Sequence, residues 1–105
     1  MQLLTQKIRA ALPPLGATDD MKLAEIFAQV KFFTPDAGWT WYAAEFDGTD
    51  VFWGLVQGFE LEYGAFSLSE LREIRGGLGL PVERDRYFEP RPLAELYAEH
   101  ERGRR

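Results

Sequence analysis

Trp39-Thr40-Trp41-Tyr42-Ala43-Ala44-Glu45-Phe46-Asp47-Gly48, followed by Val51-Phe52-Trp53-Gly54-Leu55-Val56-Gln57-Gly58-Phe59-Glu60-Leu61-Glu62-Tyr63-Gly64-Ala65-Phe66, decides the fold. Aromatic and β-branched runs separated by glycine-bearing turn signals read as an antiparallel meander. The first strand covers 39–46, and Asp47-Gly48 marks a turn whose central residues need positive φ. The return strand covers 51–56, Gln57-Gly58 a second turn, and 59–66 a third strand. Side chains alternate along a strand, and a two-residue loop sets which residues share a face. Trp39, Trp41 and Ala43 are thus predicted beside Phe52, Gly54 and Val56, and then beside Phe59, Leu61 and Tyr63. That face is almost wholly apolar and should carry the helices. The other face, with Thr40, Tyr42, Ala44, Phe46, Val51, Trp53, Leu55, Glu60 and Glu62, mixes rings with carboxylates.

Outward from the meander, the spacing of Leu4, Ile8 and Leu12 predicts a short helix over 5–12, stopped by Pro13-Pro14. Residues 26–33 read as a strand ending at Pro35. Ser67-Leu68-Ser69-Glu70 is a capping box for a helix over 68–75 that buries Leu71 and Ile74 and ends at Gly76-Gly77. Residues 78–88 read as an ordered loop or short strand. Pro92 suits the first turn of a last helix with Leu93, Leu96 and Tyr97 inward, and 100–105 reads as a frayed tail. The expected class is α+β, a three- to four-stranded antiparallel meander with helices packed on one face, in a single domain of 105 residues.

Composition narrows the chemistry. With 46% hydrophobic residues the chain can build a core, and with no cysteine it can hold neither a disulfide nor a thiolate-zinc site. No apolar run approaches the length of a membrane span, and no signal peptide is read, which points to the cytoplasm. The net charge of −5 is uneven. Residues 32–71 hold seven acids and no base, whereas 1–31 and 72–105 each sum to +1. An acidic middle suits a basic partner, and a pI near 4.8 argues against general nucleic-acid binding.

Catalytic constellations are scarce. His100 is the single histidine, and Ser67 and Ser69 are better read as a helix cap and its neighbour than as nucleophiles. A carboxylate metal site from Glu60 and Glu62 with Glu45 or Asp50 fails because Glu45 falls on the opposite face, so neither metal nor cofactor is expected. Gly76-Gly77-Leu78-Gly79 faintly suggests an anion cradle, but it follows a helix instead of preceding one. Arg72, Arg75, Arg84, Arg86 and Arg91 form a basic set interleaved with Glu73, Glu83, Asp85 and Glu89. The strongest candidate is the mixed face, where Tyr42 and Trp53 with Glu60 and Glu62 would form aromatic anchors ringed by charge, as protein interfaces favour.

Several stretches resemble one bacterial family. They include Leu12-Pro13-Pro14-Leu15, Lys31-Phe32-Phe33-Thr34-Pro35-Asp36 with Trp39-Thr40-Trp41-Tyr42, and Phe52-Trp53-Gly54-Leu55-Val56-Gln57-Gly58-Phe59-Glu60. Gly64 to Leu71, Ile74-Arg75-Gly76, Gly79 to Asp85, Phe88-Glu89-Pro90 and Pro92 to Leu96 continue the match. Together they are similar to the "domain of unknown function 2958" family over roughly Leu3 to Leu96. The resemblance implies no activity or cofactor. It implies a bacterial cytoplasmic setting among plasmid, phage and other mobile-element genes. The expected function is a non-enzymatic interaction module for a protein with a basic surface, in its sharpest form an inhibitor of a host defence complex. The alternatives are an accessory nucleic-acid binder using the five arginines, and a small enzyme with carboxylate and arginine chemistry.

Overall fold

The computed structural model describes residues 2–103. Helix α1 (Gln6–Ala11) is capped by the Thr5 side chain, which accepts from the Ile8 amide. Two short strands follow, β1 (Phe27–Ala28) and β2 (Val30–Phe33). The meander is β3 (Thr40–Phe46), β4 (Val51–Gln57) and β5 (Leu61–Ser67), after which α2 (Leu68–Glu73) begins directly. Short β6 (Glu83–Arg84) and β7 (Arg91–Pro92) lead to α3 (Leu93–Gly103). The main sheet is antiparallel in the order β5-β4-β3-β2-β6, and β1 pairs with β7 in a second, two-stranded sheet.

The α+β class and the antiparallel meander are as expected from the sequence. The stretch 26–33 divides at Gln29 into strands of two different sheets. Ser67 caps α2 by accepting from the Glu70 amide at 3.1 Å, and Asp50 braces the same turn with its carboxylate on the Ser69 amide at 2.8 Å. The segment expected to fray starts inside α3: His100 to Gly103 are helical, and Arg104 and Arg105 lie outside the described residues.

Two departures from two-residue turns rearrange the faces. Between β3 and β4 the loop is longer, with Asp47 N–H donating to Val51 C=O at 2.9 Å. Asp47 Oδ1 accepts the Thr49, Asp50 and Val51 amides, and Gly48 takes a φ of 90°. A β-bulge between Ala43 and Glu45 then absorbs the surplus residue. Trp41 consequently pairs with Val56 and Ala43 with Gly54, the faces expected, while Phe46 moves to the face of Phe52 and stacks on it at 4.5 Å. Between β4 and β5 the loop is Gly58-Phe59-Glu60, since Gln57 pairs with Leu61. That one extra residue inverts the third strand. Leu61 and Tyr63 share the face of Leu55 and Trp53, and Glu62 sits beside Val56.

Both faces are covered. On one, Val30, Phe32, Trp41, Phe46, Phe52 and Phe66 pack with Leu68 and Leu71 of α2 and with Ile8 of α1. The helices expected on one face are thus α1 and α2. On the other, Ile26, Ala28, Tyr42, Ala44 and Leu55 pack with Leu93 and Leu96 of α3.

Candidate functional site

The four residues expected to form one patch are split by these register changes. Tyr42 is only 4% exposed. Its ring lies 5.8 Å from Phe88, and its hydroxyl is hydrogen-bonded to His100 Nε2 at 2.6 Å, so α3 occupies the surface a partner would need. Burial, opposed by Arg91 and aided by Asp85, pushes the Tyr42 hydroxyl up to about 12. Burial first, and Lys31 second, hold His100 below the ordinary imidazole range. Trp53 is half-buried at the head of a stack, 6.2 Å from Tyr63, which in turn lies 5.4 Å from Tyr97 of α3. Glu60 and Glu62 are exposed, and Glu62 projects from the Trp41 face instead of the Trp53 face.

Glu45 also changes sides. The bulge pairs it with Trp53, where it is 3% exposed. Burial pushes its carboxyl up, yet three bonds outweigh that and hold it below the ordinary range. The Thr18 hydroxyl donates one, and the Gly16 and Thr18 amides donate the others at 2.9 Å each. Its oxygens are committed to pinning the 15–20 turn against the sheet. Since Glu45 and Glu62 have both exchanged faces, they remain on opposite sides of the sheet. No group of three metal-ligating side chains forms among the described residues.

The arginines do not converge either. Arg91 is bound by Glu95 and Glu99, Arg84 donates to the Gln2 carbonyl, and Arg75 folds back onto the Arg72 and Ile74 carbonyls. Arg72 and Arg86 are exposed on separate segments. The glycine-rich turn after α2 does hold an anion, and it is the chain's own. Asp36 Oδ2 accepts the Leu78 amide at 2.7 Å and the Leu80 amide at 3.4 Å. A Cβ on Gly76 would sit 1.5 Å from Asp36 Oδ1, so the glycine is there to admit the carboxylate.

What the structure does bring together lies at one end of the sheet, around the 34–39 turn. Trp39 packs on Trp41 at 5.7 Å, and Phe59 stands edge-on to Trp39 at 5.2 Å while remaining 87% exposed. Gly58 carries no side chain because its Cβ would lie 2.3 Å from the Trp39 ring. Asp36 ties the same turn to the 76–80 loop, where Leu78 is 82% exposed. Two uncovered apolar tips therefore flank one braced turn, with the acids Glu60 and Glu62 adjoining Phe59. Sequence reasoning put Trp39 on the Trp41 face, where it does pack, and missed this end because it read Phe59 as the start of the third strand instead of a loop residue. The readable signal was a bulky aromatic within a turn otherwise rich in glycine and acid.

The chain belongs to the family described as "Protein of unknown function (DUF2958)", whose profile matches residues 3–104. No curated protein and no solved structure matches it. Among the described residues, no helix is long and apolar enough to cross a membrane.

Proposed function

We propose that the protein is a non-enzymatic interaction module that binds a protein with a basic surface through the Trp39–Phe59 end of its sheet. The observation that carries this reading is the 87% exposure of Phe59 on a rigid support, the Trp39 ring, beside Glu60 and Glu62. An exposed ring on a preordered base loses little entropy on docking, and such anchors supply most of the affinity in protein interfaces. The seven acids of 32–71 would steer a basic partner. In its sharper form the partner is a host defence complex of nuclease, CRISPR or restriction type, whose nucleic-acid groove the acids would occupy. The bacterial mobile-element or phage setting implied by the family resemblance motivates that form. Binding of nucleic acid by the arginines has weaker support, since Arg75, Arg84 and Arg91 are bonded within the chain.

The test is capture from a bacterial host lysate with the wild-type chain, a Phe59→Ala variant and a Glu60→Lys/Glu62→Lys variant. A protein retained by wild type, weakened by both variants and released by rising salt is the expected result. Equal retention by all three chains removes this end as the docking surface. A salt-sensitive gel shift on DNA or RNA that Arg72→Ala/Arg86→Ala abolishes replaces the reading with the nucleic-acid one.

A further inference from the structure

We propose that β5 is a docking edge, to which an extended basic segment of the partner adds as a further strand of the sheet. The inference rests on the interaction reading above and specifies how the partner is held.

The sheet ends in two unlike edges. At one, β6 is only Glu83–Arg84, both charged, and such short charged edges resist pairing. At the other, β5 runs seven residues from Leu61 to Ser67 in unbroken register with β4. It holds no proline, no lysine and no bulge, the usual guards of an exposed edge.

The direction of its backbone groups follows from the bonds that bracket the ladder. Gly58 N–H donates to Glu60 C=O at 2.9 Å at one end, and Leu68 N–H donates to Asp50 C=O at 2.8 Å at the other. Hydrogen-bonded pairs recur at every second residue of an antiparallel ladder. In this register the pairs between those ends are Val56 with Glu62, Gly54 with Gly64, and Phe52 with Phe66. Leu61, Tyr63 and Ala65 therefore turn their N–H and C=O groups away from β4. No other hydrogen bond reaches those three residues among the described residues. β5 is the terminal strand of the sheet and pairs with β4 alone, so no strand lies on its outer side.

Charge selects the occupant. Glu62 lies in this strand and Glu60 in the loop before it, within a forty-residue stretch that has no base. A second copy of β5 would bring like charges together, whereas a strand with alternating lysines or arginines would set its cations beside Glu62. Main-chain bonds would supply the register, as in other strand-addition complexes, and the exposed Phe59 lies where the added strand would leave the edge.

The probe is a capped seven-residue peptide alternating lysine and valine, with a control of the same sequence methylated on alternate backbone nitrogens. Isotope-edited NMR on the full chain should show slowed amide exchange at Tyr63 and Ala65 with the first peptide. The methylated control should bind about tenfold more weakly, the equivalent of one or two lost hydrogen bonds. Ala65→Pro removes an outward N–H without touching the β4 ladder and should act like the methylated control. Equal binding of both peptides, absence of protection, or no binding of the first peptide overturns the proposal. A dimer through β5 in sedimentation without peptide overturns it as well. The two readings fail separately. Loss of captured partner in Phe59→Ala but not in Ala65→Pro keeps the interaction module and eliminates the edge.

Discussion

The two faces of the main sheet are built from the same aromatic-rich strands, yet they are held by different physics. Under α1 and α2 the contacts are ring on ring and ring on aliphatic: Phe52 lies 4.5 Å from Phe46, 5.2 Å from Phe66 and 5.6 Å from Phe32. Under α3 the rings carry polar tips. Tyr42 bonds His100, and Trp53, Tyr63 and Tyr97 form a graded stack that ends half-exposed. Burial holds the Tyr63 hydroxyl above its ordinary range, with Tyr97 adding to it. Hydrocarbon packing is indifferent to pH and is lost as a unit, whereas a bond between a phenol and an imidazole has a protonation state and can open locally. The first face should therefore govern global stability, and the second should govern whether α3 stays docked.

The largest effect should come where the two faces share backbone. A Cβ on Gly54 would lie 1.8 Å from the Tyr42 carbonyl oxygen, next to the bulge that sets both faces. Gly54→Ala must displace β3 from β4, and the chain should fail to give a cooperative melt by circular dichroism. Normal melting would mean the bulge is soft, and the contrast between faces would lose its common hinge.

Next in size are two single-face truncations. Phe52→Ala opens a cavity among three rings and should cost about 3–5 kcal/mol, a large share of the stability of a domain this size. Tyr42→Phe leaves His100 Nε2 without its hydroxyl partner and should cost about 1–3 kcal/mol. Native-state amide exchange separates the two. Phe52→Ala should speed exchange across β2 to β5, and Tyr42→Phe chiefly in α3. Uniform acceleration in both variants would merge the two faces into one cooperative unit.

This asymmetry was half legible in the sequence. The period-two pattern of Trp39, Trp41 and Ala43 against Phe52, Gly54 and Val56 identified the hydrocarbon face, because two extra residues, one in the loop and one in the bulge, leave that pairing intact. Phe46 beyond the bulge and all of β5 were assigned to the wrong faces for the same reason: one added residue reverses every side chain that follows. Gly58 was the misleading signal. It reads as a turn glycine, but it is not among the residues of positive φ, and it is glycine because the Trp39 ring lies against it. Gly76 likewise stops a helix in the sequence and admits Asp36 in the structure. A glycine needed for space and one needed for conformation are spelled alike, and only a distant side chain tells them apart. His100 was assigned to a frayed end because its partner stands 58 residues away, beyond the reach of any local pattern.

The smallest effect is the one that isolates the polar-tipped face. His100 titrates below its ordinary value of 6.5, so as pH falls the unfolded chain takes up that proton first. The sign follows from proton linkage: the His100 contribution is complete above pH 6.5, shrinks as pH falls toward the folded-state value, and is gone below it. The groups facing it set the size of the effect, since Lys31 opposes imidazolium while Asp85 and Arg91 act on Tyr42. Glu45 and Asp47 are held below their ordinary values of 4.5 and 3.8, so they lose their contribution in a separate, more acidic window. The difference in melting temperature between wild type and His100→Gln should therefore narrow as pH is lowered from 7.5 to 5, and amide exchange should accelerate first in α3. A difference that stays constant over that range would show that the imidazole is held by packing alone. The second face would then be no more responsive to acid than the first.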